Sequence, residues 1–194
     1  VEIEEKIEQL EIEDKGYGFD IYERVPLKLI DESGSRREPS EMILEIVSKE
    51  QPIHFDDLCR RVAPLYGRQK ATSVVQGKVG YFLLLCQMEG KIAEDWDNFV
   101  KEKDFNNIKV RTPNPDDDYL RPITHICDEE LALAMKTIAQ HSFGITPGDL
   151  FIVTAREFGV KRVGENIISL LRRVYQHMLK SGEVTEVDGK VQVS

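Results

Sequence analysis

ITPGDLFIVTAREFGVKRVGENIISLLRRVYQHMLKSGEVTEVDGKVQV, residues 145–193, decides the fold. Thr146 is a good helix N-cap, Pro147 suits a first helical position, and Asp149 is a first-turn acid that favours the helix dipole. A further helix follows, with Ile167, Leu171, Val174 and Met178 on one stripe and Gly182 as its stop. Beyond it, valines flank Asp188-Gly189, a dipeptide that supplies the positive φ angles of a tight hairpin turn. With the helix that begins at Glu129-Glu130, this gives three helices and a two-stranded wing, the pattern of a winged helix.

The same pattern occurs earlier in the chain. A shift of 92 residues, without a gap, places Ile46 on Ile138, Ile53 on Ile145, Asp57 on Asp149, Leu58 on Leu150, Ala63 on Ala155, Gly67 on Gly159, Gly90 on Gly182 and Glu94 on Glu186. The stripe Val75, Val79, Phe82, Cys86 lands on Ile167, Leu171, Val174, Met178. Helix stops and core stripe thus stay in register together, as expected of an internal repeat. In the first copy, Ser40 caps a helix that buries Ile43, Ile46 and Val47, and a second helix runs over residues 55–65. A third covers residues 70–88, and residues 91–100 read as a hairpin with Trp96 at its tip. Folding back onto its own sheet is the ordinary fate of such a tryptophan, and a partner contact is the alternative. Ile53 and Ile145 are candidates for a short strand between the first two helices of each copy.

The predicted fold is therefore mostly α with small β-hairpins, an α+β chain of tandem winged helix-turn-helix units. Residues 1–39 form an acidic arm and linker, 40–112 the first unit, 113–127 a linker and 128–194 the second unit. Ile3, Ile7 and Leu10 suggest a short amphipathic helix in the arm, and residues 108–111 a strand. A length of 194 residues excludes a large multidomain enzyme, and no apolar run approaches the roughly 20 residues of a membrane span. Because the first residue is Val1 and no leader pattern follows, the chain reads as a piece of a longer protein. Three cysteines without CxxC spacing, Cys59, Cys86 and Cys127, point to buried thiols in a reducing, cytoplasmic setting.

The net charge of −9 argues against a chain whose whole surface binds nucleic acid. Its distribution qualifies this: residues 1–40 carry −6, residues 41–128 carry −3, and residues 129–194 are neutral. In that neutral part, the face opposite the core stripe carries Arg162, Asn166, Ser169 and Arg173, with Lys161, Arg172 and Gln176 beside them. Such a mixture suits phosphate and base-edge contact from a recognition helix, and an ordinary solvated helix face is the alternative. The equivalent helix of the first copy instead presents Lys70, Val74, Gly77, Tyr81, Leu84 and Leu85, which implies burial on two faces, against the other copy, the arm or a partner. Arg60, Arg61, Arg68 and Lys70 cluster near the turn before that helix and suit either phosphate contact or local charge balance.

No phosphate loop, GxSxG, HExxH or CxxC motif is present, so no catalytic residue, metal or cofactor is assigned. His125 and Cys127 lack a second pair of ligands, and a packing role suits them better. Asp116-Asp117-Asp118 reads as a solvated turn.

One further pattern runs through the chain: Glu50-Gln-Pro-Ile-His-Phe-Asp-Asp-Leu-Cys-Arg-Arg-Val-Ala, Tyr66-Gly-Arg, Val110-Arg111, Arg121, Glu129-Glu130 and Ala155-Arg-Glu-Phe-Gly-Val-Lys-Arg162. These residues resemble the domain of unknown function 3320 family over about residues 40–180, with a departure at Asp97-Asn-Phe-Val100. The resemblance implies an accessory domain near the C-terminus of very large bacterial superfamily 1 helicase-like proteins, behind a helicase core and a nuclease-like domain, with no catalytic residue of its own. His54 belongs to the matching residues, and by the repeat it holds the N-cap position of Thr146. Nucleic-acid contact through the second unit is the leading expectation. Docking of both units onto the parent's motor or nuclease is the rival, and an enzyme is the third option.

Overall fold

A computed structural model describes residues 16–93 and 98–194. The arm helix expected over residues 1–14 and the wing tip with Trp96 lie outside the described residues. The fold is mixed α+β, and among the described residues no helix is long and apolar enough to cross a membrane.

The first unit comprises α1 (Pro39–Glu50), a short strand β2 (Ile53–His54), α2 (Phe55–Val62) running into a 3-10 turn (Ala63–Tyr66), and α3 (Ser73–Met88). An earlier strand, β1 (Asp20–Ile21), precedes it, and β3 (Phe99–Val100) and β4 (Arg111–Thr112) follow it. The second unit comprises α4 (Asp128–His141), α5 (Pro147–Glu157), α6 (Glu165–Ser181) and the hairpin β5 (Val184–Val187) and β6 (Lys190–Val193). Each unit has its own apolar core. Met42, Ile46, Leu58, Val62, Val79 and Leu83 are central to one, and Leu131, Met135, Leu150, Phe158, Leu171 and Met178 to the other.

Local chemistry explains the boundaries. The His54 ring accepts from the Asp56 amide at 3.2 Å, and the Thr146 hydroxyl accepts from the Asp149 amide at 3.2 Å, so both second helices are capped from equivalent positions. Three acids, Asp128, Glu129 and Glu130, open α4, where the helix dipole favours them. Gly182 ends α6 with φ 77°, a left-handed angle that a side chain adopts only at a cost. Gly159 meets a second demand besides its φ of 79°: a Cβ there would lie 2.7 Å from the Leu120 side chain.

Two details differ from the sequence reading. Along α3 the buried row is Val75, Val79, Leu83 and Cys86, and Phe82 is only half-buried, because steps of four, four and three residues keep Leu83 on the core side. The outer face of that helix, expected to be covered by the other copy, the arm or a partner, is not covered by the second unit: Val74, Tyr81, Leu84, Leu85 and Met88 are exposed among the described residues. In the first hairpin, residues 91–93 run antiparallel to 101–103, while β3 pairs with β2 through Ile53–Val100 and His54–Phe99. Ile145 makes one backbone bond to Val191.

The segments on either side of the first unit are more than spacers. Strand β1 pairs in parallel with β4, Tyr17 and Phe19 pack on the second core, and Val25 and Leu27 pack on the first. Arg121, Ile123, Ile126 and Cys127 are all buried.

Leu83 and Leu84 are neighbours in sequence with opposite environments, which makes them a direct test of the α3 register. Leu83→Ala is expected to cost about 2–5 kcal/mol, whereas Leu84→Ala stays within roughly 0.5 kcal/mol, both read from urea unfolding midpoints.

Candidate nucleic-acid interface and the polar seam between the units

The residues singled out on the second unit are all exposed: Lys161 and Arg162 lie in the turn between Gly159 and α6, and Asn166, Ser169, Arg172 and Arg173 on α6 itself. On α6, Asn166, Ser169, Arg172 and Arg173 lie on the side opposite the buried Leu171, Val174, Tyr175 and Met178. Their pairing states differ. The guanidinium of Arg173 donates to both oxygens of Asp128, at 2.6 and 2.9 Å, so this cation is engaged with the start of α4. Arg172 approaches Glu165 at 3.6 Å, an exposed pair of small energetic weight. Lys161 and Arg162 make no ion pair among the described residues, which leaves them free for an anion.

Between the units lies a buried polar seam that sequence reasoning did not assemble. Glu130 of α4, fully buried, accepts from Arg111 at 2.7 and 2.9 Å, the latter through the backbone amide, and from Arg121 at 2.8 Å. Burial acts to raise its carboxyl; the guanidiniums, Arg121 foremost, overcome this and hold it below the ordinary glutamate range. Arg111 also donates to the backbone carbonyls of Glu50, Gln51 and Pro52, tying the end of α1 to the start of α4. Across the seam, buried Glu50 accepts from the Tyr22 hydroxyl at 2.7 Å, the Val25 amide at 2.8 Å and Arg61 at 2.5 Å. Burial first, and the Glu50 carboxylate second, push the Tyr22 phenol up, so it stays a donor at any physiological pH. The Tyr22 ring in turn lies under Arg121 and Arg111, with guanidinium carbons 4.2 and 5.4 Å from its centroid.

A second cluster closes the seam from below. His54 and His125 stack face to face, centroids 3.8 Å apart and planes 4° from parallel, and Phe99 meets His54 edge-on at 5.2 Å. Burial, then His125, lowers the His54 pKa, so both faces of this stack favour a neutral ring there. With Asp56 these two histidines place three ligand-type atoms within 4.8 Å of one another. Stacked parallel rings aim their in-plane lone pairs side by side rather than at a common point, and His54 Nδ1 already caps α2. The pair is built for packing and capping. His125 Nδ1 stands 3.0 Å from Asp57 Oδ1, in a geometry that makes no hydrogen bond.

The remaining reactive side chains are held inert. Burial pushes the Cys59 and Cys127 thiols up to about 12, far from a nucleophilic thiolate at neutral pH. Asp117, within the acidic turn, accepts two bonds of 2.6 Å from Arg24, which hold its carboxyl below the ordinary range.

Glu130 is the residue on which the seam can be tested. Glu130→Gln leaves two buried guanidiniums short of a counter-charge and is expected to cost about 3–5 kcal/mol in urea unfolding at pH 7. Because the folded carboxyl titrates below its unfolded value, its contribution is complete above about pH 4.3 and fades as pH falls through the folded value. The wild-type midpoint is therefore expected to fall on acidification through this window more steeply than that of the variant.

Most of the residues in this seam are those on which the family resemblance rests, and the comparison with known families agrees in part. No curated protein and no solved structure matches the chain. The model of a family described as "Protein of unknown function (DUF3320)" matches residues 35–77, a stretch that holds Glu50, His54, Asp57 and Arg61.

Proposed function

We propose that this chain is a non-catalytic accessory module of two winged-helix units, and that the second unit contacts nucleic acid through the α6 side. The observation that carries the reading is the pair of cations Lys161 and Arg162, without an ion pair among the described residues and exposed at the entrance to a helix whose outer face is polar and whose inner face is core. Order supports it too: three helices and then a hairpin, with the last helix outward on one side, is how a winged helix presents a recognition helix. Asn166 and Ser169 are placed for base edges or sugar, and Lys161, Arg162 and Arg172 for phosphates. Arg173 has to leave Asp128 before it meets a phosphate, so its net contribution is smaller.

The resemblance extends this reading to a larger helicase-like parent in the cytoplasm, in which the module steers or steadies the nucleic-acid substrate while chemistry takes place elsewhere. A second reading, docking onto other domains of that parent, is favoured by the exposed apolar face of α3.

Binding of fluorescein-labelled DNA and RNA, single- and double-stranded, followed by anisotropy across a salt titration, tests the leading reading. The Lys161→Ala/Arg162→Ala double variant is expected to reduce the slope of log K against log salt by about 2. Arg173→Ala reduces it by less than one, and Asp128→Ala tightens binding by freeing Arg173. Absence of binding to all four probes at low salt, or a slope indifferent to the double variant, overturns the assignment.

A further inference from the structure

The stretch from Leu58 to Met88 holds five cations and no acid, in a chain whose net charge is −9. Two of the five serve local charge balance: Arg60 pairs with Asp57 at 2.8 Å and Arg61 with Glu50 at 2.5 Å. The other three, Arg68, Lys70 and Lys78, are exposed and make no ion pair among the described residues. A fourth cation joins them from the preceding linker. Arg36, exposed and also without an ion pair among the described residues, donates to the Leu65 carbonyl at 2.9 Å. The Lys78 ammonium lies 5.1 Å from the centroid of the adjacent Tyr66 ring, and the Arg68 amide donates to the Ala63 carbonyl at 3.0 Å. Three cations from three places in the sequence are thus fastened to one 3-10 turn, Ala63–Tyr66, with Lys70 two residues beyond Arg68.

We propose that this turn is a second nucleic-acid contact, at which the first unit holds backbone phosphates; the inference takes only its class of partner from the function proposed above. Position is the first argument. The 92-residue shift sets Gly67 on Gly159 and Lys70 on Arg162. Both glycines are left-handed, at φ 68° and 79°, and both lead into the third helix of their unit, which begins at Ser73 in one and Glu165 in the other. Unpaired cations therefore stand at the same entrance in both copies, although different residues supply them. Charge is the second argument. Like charges gathered on one turn repel one another, and phosphates relieve that repulsion while counterions are released to solvent. The positive end of the 16-residue α3 opens onto the same turn and adds to the pull on an anion. Chemistry is the third. Exposed cations spread around a turn suit the successive phosphates of a strand, where one small anion would need a pocket. Contacts of this kind carry no base code, so the first unit positions the strand and base reading falls to Asn166 and Ser169 on α6.

Amide chemical shifts of the isotopically labelled whole chain, followed at low salt as single- and double-stranded DNA and RNA are added in turn, test this. The amides of residues 68–73 are expected to move together with those of residues 161–166. The Arg68→Ala/Lys70→Ala variant, altered only at exposed positions, is expected to keep the wild-type urea midpoint and to lower the slope of log K against log salt by about 2. Residues 68–73 that stay still while 161–166 move overturn the inference and leave the second-unit contact standing. The reverse pattern supports the inference and overturns that contact. Stillness at both places with all four probes overturns both, and a slope indifferent to the double variant overturns the inference. Movement of residues 68–73 with anionic phosphatidylserine vesicles and with none of the four nucleic acids identifies a membrane surface and overturns it equally.

Discussion

Two carboxylates, Glu50 and Glu130, are buried between two helical units, and the rest of the structure is arranged to supply them with donors. An unpaired carboxylate in such a place costs several kcal/mol. Each is therefore surrounded by donors drawn from far along the chain: Tyr22, Val25 and Arg61 for Glu50, Arg111 and Arg121 for Glu130. Tyr22 joins the two sites, since its hydroxyl serves one carboxylate and its ring lies beneath the guanidiniums that serve the other. The full set closes only when residues 20–25, the end of α1, residues 110–121 and the start of α4 dock together. The segments that flank the first unit are thus required by electrostatics, even though their composition reads as loop.

The helices were legible because they obey short-range rules. Periodicity placed α1 to α6, His54 and Thr146 announced their capping roles, and Asp188-Gly189 announced the hairpin. The seam was illegible for the opposite reason. Its hydrogen-bonded pairs join residues 9 to 61 positions apart and leave no period. A signal did exist: Glu50 continues the row Ile43, Ile46, Val47 at a core position, and a charge in a core row calls for a buried partner. The stretch around Glu50, His54 and Arg61, together with Arg111, Arg121 and Glu130, also carried the family resemblance. In three dimensions these residues fasten two halves together.

Of the candidate interface, exposure of its six side chains agrees with the sequence pattern, though Lys161 and Arg162 lie in the turn before the helix, and spacing is blind to Asp128, 45 positions from the arginine it engages. The two third helices also show how far one backbone plan can diverge in use. They begin 92 positions apart and share three buried positions, Val79, Leu83 and Cys86 against Leu171, Tyr175 and Met178, yet α6 turns cations and amides outward where α3 turns aliphatic and aromatic carbon. A buried row constrains only one side of a helix, so the outward side is free to differ in chemistry.

The reach of these pairings has a consequence for how the chain comes off the ribosome. The first unit emerges some 40 residues before α4, so Arg111 and the carbonyls it covers wait for Glu130 to appear. During that interval strand β1, whose ladder partner among the described residues is β4, is held back too. Synthesis therefore delivers a helical half that can collapse early and a fastening that closes late, when the second half arrives. For a chain of this order of connections, the two units are separable as patterns of sequence and inseparable as products of translation.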